Sequence, residues 1–141
     1  MILLDTDHLT VLRYPENPQC AELTARIERT GAEAFAVTIV SVEEQTRGLL
    51  ALIHRTRDID KQVPVYDRFA RLLDFFSHWR IVPFDLRAAA EFKRLRQQRI
   101  RIGTMDLKIA SIALVHNASV LSANLRDFQQ VPELRVESWL R

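Results

Sequence analysis

The sequence predicts an α/β sandwich with a mostly parallel central sheet, and three observations predict it. Four short apolar runs, Ile2-Leu3-Leu4, Phe35-Ala36-Val37, Ile81-Val82 and Val120-Leu121, read as strands buried on both faces rather than half-solvated. Long stretches of helical periodicity separate them. Strand and helix patterns alternate from one end to the other, the order that parallel strands with helical crossovers require.

Taken in order, the first strand runs into Asp5, and a helix is expected over 17–30 before the second strand. Helices are then expected over 41–56 and 61–78, with Pro64 near the start of the latter, where a missing backbone donor is tolerated. Pro83 closes the third strand, and helices over 86–99 and 104–117 lead to the fourth. No Ser/Gly-rich linker or internal repeat interrupts the series, so residues 1–141 read as one domain.

Composition removes several classes of function. Cys20 is the only cysteine, which rules out an internal disulfide and a cysteine-based zinc site and points to a reducing cytoplasm. The opening Met-Ile-Leu-Leu-Asp has no basic n-region, and no apolar run approaches the ~20 residues of a membrane span. The expectation is a cytoplasmic protein, neither exported nor membrane-bound. Lysine plus arginine exceed aspartate plus glutamate by only 20 to 18, so total charge says little about nucleic acid. Arg94, Arg96, Arg99 and Arg101 cluster before Asp106, as a phosphate-facing rim or as a solvated helix face.

In an open parallel sheet, ligands gather outside the carboxyl ends of the strands, so the acids there carry the functional reading. Asp5 leaves a dry strand into that crevice; it could also cap the helix near Leu9, a role that suits Asp7 better. Ser41-Val42-Glu43-Glu44 has the form of a capping box with Glu44 reaching back, yet Glu44 also shares a stripe with Gly48, Ala51 and Leu52 that predicts an inward direction. Asp106 shares the apolar stripe of Ala110, Ala113 and Leu114, where a carboxylate has no packing purpose. Three such carboxylates repel one another unless a cation compensates them, and hard oxygen ligands suit magnesium or manganese. That chemistry is metal-assisted hydrolysis of a phosphodiester.

Four segments carry a resemblance: Met1-Ile2-Leu3-Leu4-Asp5-Thr6-Asp7, the Glu44 to Gly48 spacing, Ile102-Gly103-Thr104-Met105-Asp106-Leu107-Lys108-Ile109-Ala110, and Asn124-Leu125-Arg126-Asp127-Phe128 with Trp139. In that order they resemble the PIN domain, and within it the VapC group of type II toxin–antitoxin nucleases. The resemblance implies a three-layer α/β/α sandwich, a magnesium-dependent endoribonuclease with manganese as substitute, a homodimer, and a VapB-like antitoxin. It places the acidic ligands on Asp5, Glu44 and Asp106 and a fourth position on Asn124, where other members offer a carboxylate. Asp127 is the nearby substitute, though its place before Phe128 suits a structural role. Independently of the resemblance, the arginine cluster before Asp106 offers Arg99 and Arg101 as the expected RNA contacts, since three acids with one cation still leave negative charge facing the phosphates.

Two other readings stand beside it. A strand ending in Asp5-Thr6-Asp7 also resembles the nucleophile and acid pair of haloacid-dehalogenase-like phosphatases, but Leu9 stands where Ser, Thr or Val is usual. A non-catalytic PIN-like interaction module, whose acids only cap helices, binds no metal. The four histidines, His8, His54, His78 and His116, lie beside no nucleophile motif, and His54 and His78 read as surface residues.

Overall fold

The computed structural model describes residues 1–141 and contains five strands: β1 (Ile2–Leu4), β2 (Phe35–Thr38), β3 (Ile81–Val82), β4 (Ser119–Leu121) and β5 (Arg135–Glu137). Their order is β3-β2-β1-β4-β5, and every neighbouring pair is parallel. Seven helices accompany them: α1 (Thr6–Arg13), α2 (Cys20–Thr30), α3 (Ile39–Arg55), α4 (Ile59–Ser77), α5 (Leu86–Gln97), α6 (Thr104–Val115) and α7 (Leu125–Phe128).

The apolar runs form a two-sided sheet because successive strand residues point to opposite faces. Leu3, Ala36 and Val120 enter one core with Leu95, Ile109 and Ile112. Their neighbours Leu4, Val37 and Leu121 enter a second core with Leu9, Leu23 and Leu72. Each fully buried leucine contributes about 1.5–3 kcal/mol, so helices on both faces are needed to cover the sheet. The outcome is the expected α/β/α sandwich.

Three details depart from expectation. β5 was not foreseen, because Arg135-Val136-Glu137 holds one apolar residue and joins the edge through backbone pairing with β4. α1 starts at Thr6, a turn earlier than a helix beginning near Leu9, and its N-cap is Asp5 rather than Asp7. α3 starts at Ile39 because Thr38, ending β2, caps it by accepting from Ser41 N at 3.2 Å. Ser41 is therefore inside the helix, and the capping box it seemed to open does not exist.

The stripe of Glu44 also needs correction. The buried residues of α3 are Val40, Ser41, Leu49 and Ile53, whereas Gly48 and Ala51 are exposed. Glu44, Gly48, Leu52 and Arg55 line an open groove instead of the core. No helix is long and apolar enough to cross a membrane.

Strand order fixes where a site can form. From β1 the chain builds outward to β2 and β3 on one side, then returns to β4 and β5 on the other. The switch between β1 and β4 opens a crevice at their carboxyl ends.

Candidate functional site at the switch point

Asp5 and Ser122 are the first residues past β1 and β4, so they meet across that crevice. The Asp5 amide extends the ladder to Leu121 O at 2.9 Å, after which the chain turns into α1. Its carboxylate accepts from Thr6 N at 2.8 Å and from the Ser122 hydroxyl at 2.7 Å. Asp5 is only 7% exposed and Ser122 fully buried. Burial pushes the Asp5 carboxyl up from 3.8 to about 6, with help from the charges of Asp7 and Asp106 and against the hydrogen bonds from Ser122 and Thr6.

Asp7 has a different task. One of its oxygens accepts from His8 Nδ1 at 2.6 Å, and the other from Ala123 N at 2.8 Å with the Ser122 hydroxyl 3.3 Å away. His8 is fully buried, and its Nε2 accepts from Trp139 N at 3.0 Å. A ring nitrogen that accepts carries no proton, so Nδ1 is the one that donates to Asp7. Burial alone would raise the Asp7 carboxyl, yet the donors from His8 and Ala123 hold it below its ordinary value. Asp7 thus ties α1 to the end of β4 and, through His8, to the closing segment.

Asp106 lies half-buried in the first turn of α6, whose cap Gly103 offers no side chain. Asn124, following β4, donates its amide nitrogen to Asp106 at 2.9 Å and to Asp127 at 3.1 Å. With its nitrogen turned to these two carboxylates, the Asn124 carbonyl oxygen is left without a protein partner. Burial raises the Asp106 carboxyl, and the charges of Glu44, Asp127 and Asp7 raise it further against the bond from Asn124. Glu44 stands half-buried in α3 at the head of the open groove, beside Thr6.

No lysine or arginine forms an ion pair with Asp5, Glu44, Asp106 or Asp127. The Thr6 hydroxyl beside them is the one buried side-chain polar atom without a hydrogen-bond partner. The acids surround the crevice without closing into a three-residue metal cluster. Arg99 and Arg101 are exposed in the connection before α6, Arg99 with a left-handed φ of 61°, and neither lines a hollow. Sequence reasoning missed Ser122 and His8. For Ser122 a signal was available, since it follows β4 as Asp5 follows β1.

The PIN domain family profile matches residues 2–134. Among curated proteins, Ribonuclease VapC of Rickettsia bellii is 32% identical over 92 residues, covering 62% of this chain and 66% of that protein. Ribonuclease VapC2 of Rickettsia felis is 33% identical over 69 residues, 46% of this chain and 52% of that protein. The chain therefore spans roughly half to two thirds of the length of these relatives. Among solved structures, DNA-bound VapBC from Salmonella typhimurium superposes with a TM-score of 0.76 at 20% identity, over 99% of this chain and 98% of that one. VapBC2 from Rickettsia felis gives 0.71 at 21% identity, over 99% and 100%. The profile spans nearly the whole sheet and every acid of the crevice, and on that match the chain belongs to the PIN domain family.

Proposed function

We propose that the chain is a magnesium-dependent endoribonuclease and the toxin component of a type II toxin–antitoxin system. One observation carries the chemistry: buried or half-buried carboxylates crowd the switch point with no cationic side chain among them, and burial with mutual repulsion raises two of them. The relatives named ribonuclease and the folds solved as VapBC complexes support the biological assignment.

The donor set is all oxygen, which suits a hard divalent cation. Asp5, Glu44 and Asp106 would hold magnesium or manganese, with the free carbonyl oxygen of Asn124 as a further neutral donor. When bound, such a cation supplies an activated water and positive charge opposite the scissile phosphate. The protein's part is positioning. Ser122 and Thr6 N fix Asp5, Asn124 fixes Asp106, and the Thr6 hydroxyl is buried beside them without a partner. Asp7 is committed to His8 and Ala123 and held ionised, which disqualifies it as the proton donor that a haloacid-dehalogenase-like phosphatase would need.

A VapB-like antitoxin and a second copy of the chain are the proposed protein partners. Ile59, Val63, Tyr66 and Leu73 run along one face of α4 and are all more than half exposed, an apolar stripe available to them.

Glu44 and its neighbour Glu43 give the sharpest test of the metal role. Glu43 is exposed and pairs with Arg47 at 2.5 Å one turn on, a contact worth ~0.3–0.5 kcal/mol. Glu43→Gln should leave magnesium-dependent cleavage within twofold of the parent. Glu44→Gln should reduce it by roughly a hundredfold or more, since it removes one of three anionic ligands. Equal rates for the two variants in single-turnover assays would take Glu44 out of the site.

A further inference from the structure

The acidic crevice opens into a groove built from one face of each of three helices. Thr6, Thr10 and Arg13 follow i, i+4, i+7 spacing on α1, and Glu44, Gly48 and Arg55 follow i, i+4, i+11 on α3. Arg68 and Arg71 on α4 complete it. The groove consists of two hollows of about 400 and 450 Å³ that adjoin at Arg13, Tyr14 and Arg68, one reaching Glu44 and the other Arg71. A side chain at Gly48 would meet nothing within 4 Å, which leaves the passage open beside Glu44.

The charge along this groove is unbalanced. It brings together four guanidinium groups, Arg13, Arg55, Arg68 and Arg71, and beyond Glu44 the acid lining its far end is Glu16. Arg71 pairs with Asp67 at 3.1 Å, both exposed, while Arg13, Arg55 and Arg68 make no ion pair. Arg13 is held in place by donating to Gln45 and lies over the Tyr14 ring at 5.4 Å. Burial, together with the charges of Arg68 and Arg71, pulls the Arg13 guanidinium below its ordinary value. Like charges kept this near one another favour an anionic occupant. The apolar stripe of α4 lies on another face of that helix: Arg68 and Arg71 fall between its residues at spacings that turn them away from Ile59, Val63, Tyr66 and Leu73.

We propose that the groove lined by Arg13, Arg55, Arg68 and Arg71 binds the phosphate backbone of a single RNA strand as it leaves the acidic crevice. The inference rests on the ribonuclease reading of that crevice. Arginine supplies planar donors to successive phosphates, and Tyr14 and Phe75 along the same walls offer ring faces to unpaired bases. A strand held here is cut where it passes Glu44, and Arg99 and Arg101 stand on the opposite, α5–α6 side of the sheet edge.

The test is fluorescence anisotropy with a dye-labelled single-stranded RNA oligomer, in excess chelator and in an Asp106→Asn background so that the strand stays whole. Arg55→Gln, Arg68→Gln and Arg71→Gln are combined, leaving the packed Arg13 in place, and circular dichroism checks the fold. Binding should weaken by tenfold or more at low salt, and the slope of log affinity against log salt should fall by about 2, at ~0.7 per lost phosphate contact. Affinity and slope within twofold of the parent's overturn the proposal, as does an Asp106→Asn parent that binds no RNA. Unchanged RNA binding with loss of binding to a poly-glutamate peptide also overturns it and marks the groove as a protein-binding surface. Arginine-dependent binding by a chain that never cleaves RNA leaves the groove standing and removes the nuclease reading. Intact cleavage with unchanged binding by the triple variant does the reverse.

Discussion

Cleavage of RNA by the Asp106→Asn protein should fall by roughly a thousandfold or more, with its fold and thermal midpoint unchanged or slightly improved. The substitution keeps shape and hydrogen bonding. Asn124 donates to Asp106 at 2.9 Å, and the carbonyl oxygen of the new amide can accept that bond while its nitrogen turns toward the neighbouring acids. What disappears is one negative charge from a crowded, half-buried site, where Glu44, Asp127 and Asp7 already oppose its ionisation. Stability therefore does not suffer, whereas a cation loses an anionic ligand. Single-turnover cleavage of a labelled RNA, alongside thermal melts, measures both. Undiminished cleavage with contaminating nuclease excluded would remove Asp106 from the mechanism.

The second large effect concerns Asp5, and it appears in stability as well as activity. Moving a buried carboxyl from 3.8 to about 6 costs the metal-free fold about 3 kcal/mol at neutral pH. The sign follows from proton binding. With the folded-state value above the unfolded one, the native protein holds the proton more tightly, so the penalty is full above about pH 6 and vanishes below about pH 4. Asp5→Asn should accordingly raise unfolding free energy by up to about 3 kcal/mol at pH 7 in chelator, and by little at pH 4. Its hydrogen bonds can be kept: the new amide oxygen accepts from Thr6 N, its nitrogen donates to Ser122, and the Ser122 hydroxyl turns to Asp7, 3.3 Å away. Denaturant titrations at the two pH values test this, and a variant destabilised at pH 7 would contradict it. Cleavage should be lost in the same protein. In the parent, cleavage should decline as pH falls through 6 at low magnesium, and the decline should move to lower pH as magnesium rises, because proton and cation compete for Asp5.

How much of this was legible in the residues depended on how local the signal was. Three of the four apolar runs disclosed their strands because burial on both faces leaves a run with no polar member; the third, Ile81-Val82, is an edge strand with Ile81 exposed and was found by its apolar pair alone. β5 left no such trace, since an edge strand held by backbone pairing needs only one apolar residue, Val136. Asp5 and Asp106 were conspicuous because a carboxylate beside a dry strand or on an apolar helix stripe has no packing purpose. Glu44 was identified through a stripe that faces a groove, not the core, so the residue was chosen on a wrong premise about its direction. The apparent capping box misled because Thr38, three residues earlier, has the same chemistry and ends a buried strand. His8 could not be seen, since its partner Trp139 lies 131 residues away and only the fold brings them together. The arginines of the groove escaped notice for the same reason: Arg13, Arg55 and Arg68 come from three helices, whereas Arg99 and Arg101 attracted attention by being adjacent in the chain.

The measurement that bears most directly on the central claim is RNA cleavage by purified, metal-free protein, first in excess chelator and then with each cation restored. Three acids facing a phosphate repel it without compensation, so cleavage should stop in chelator. Magnesium or manganese should restore it, and calcium should support binding better than turnover because its looser coordination positions an attacking water poorly. Robust cleavage in chelator, by protein shown to carry no bound metal and no other nuclease, would contradict the account.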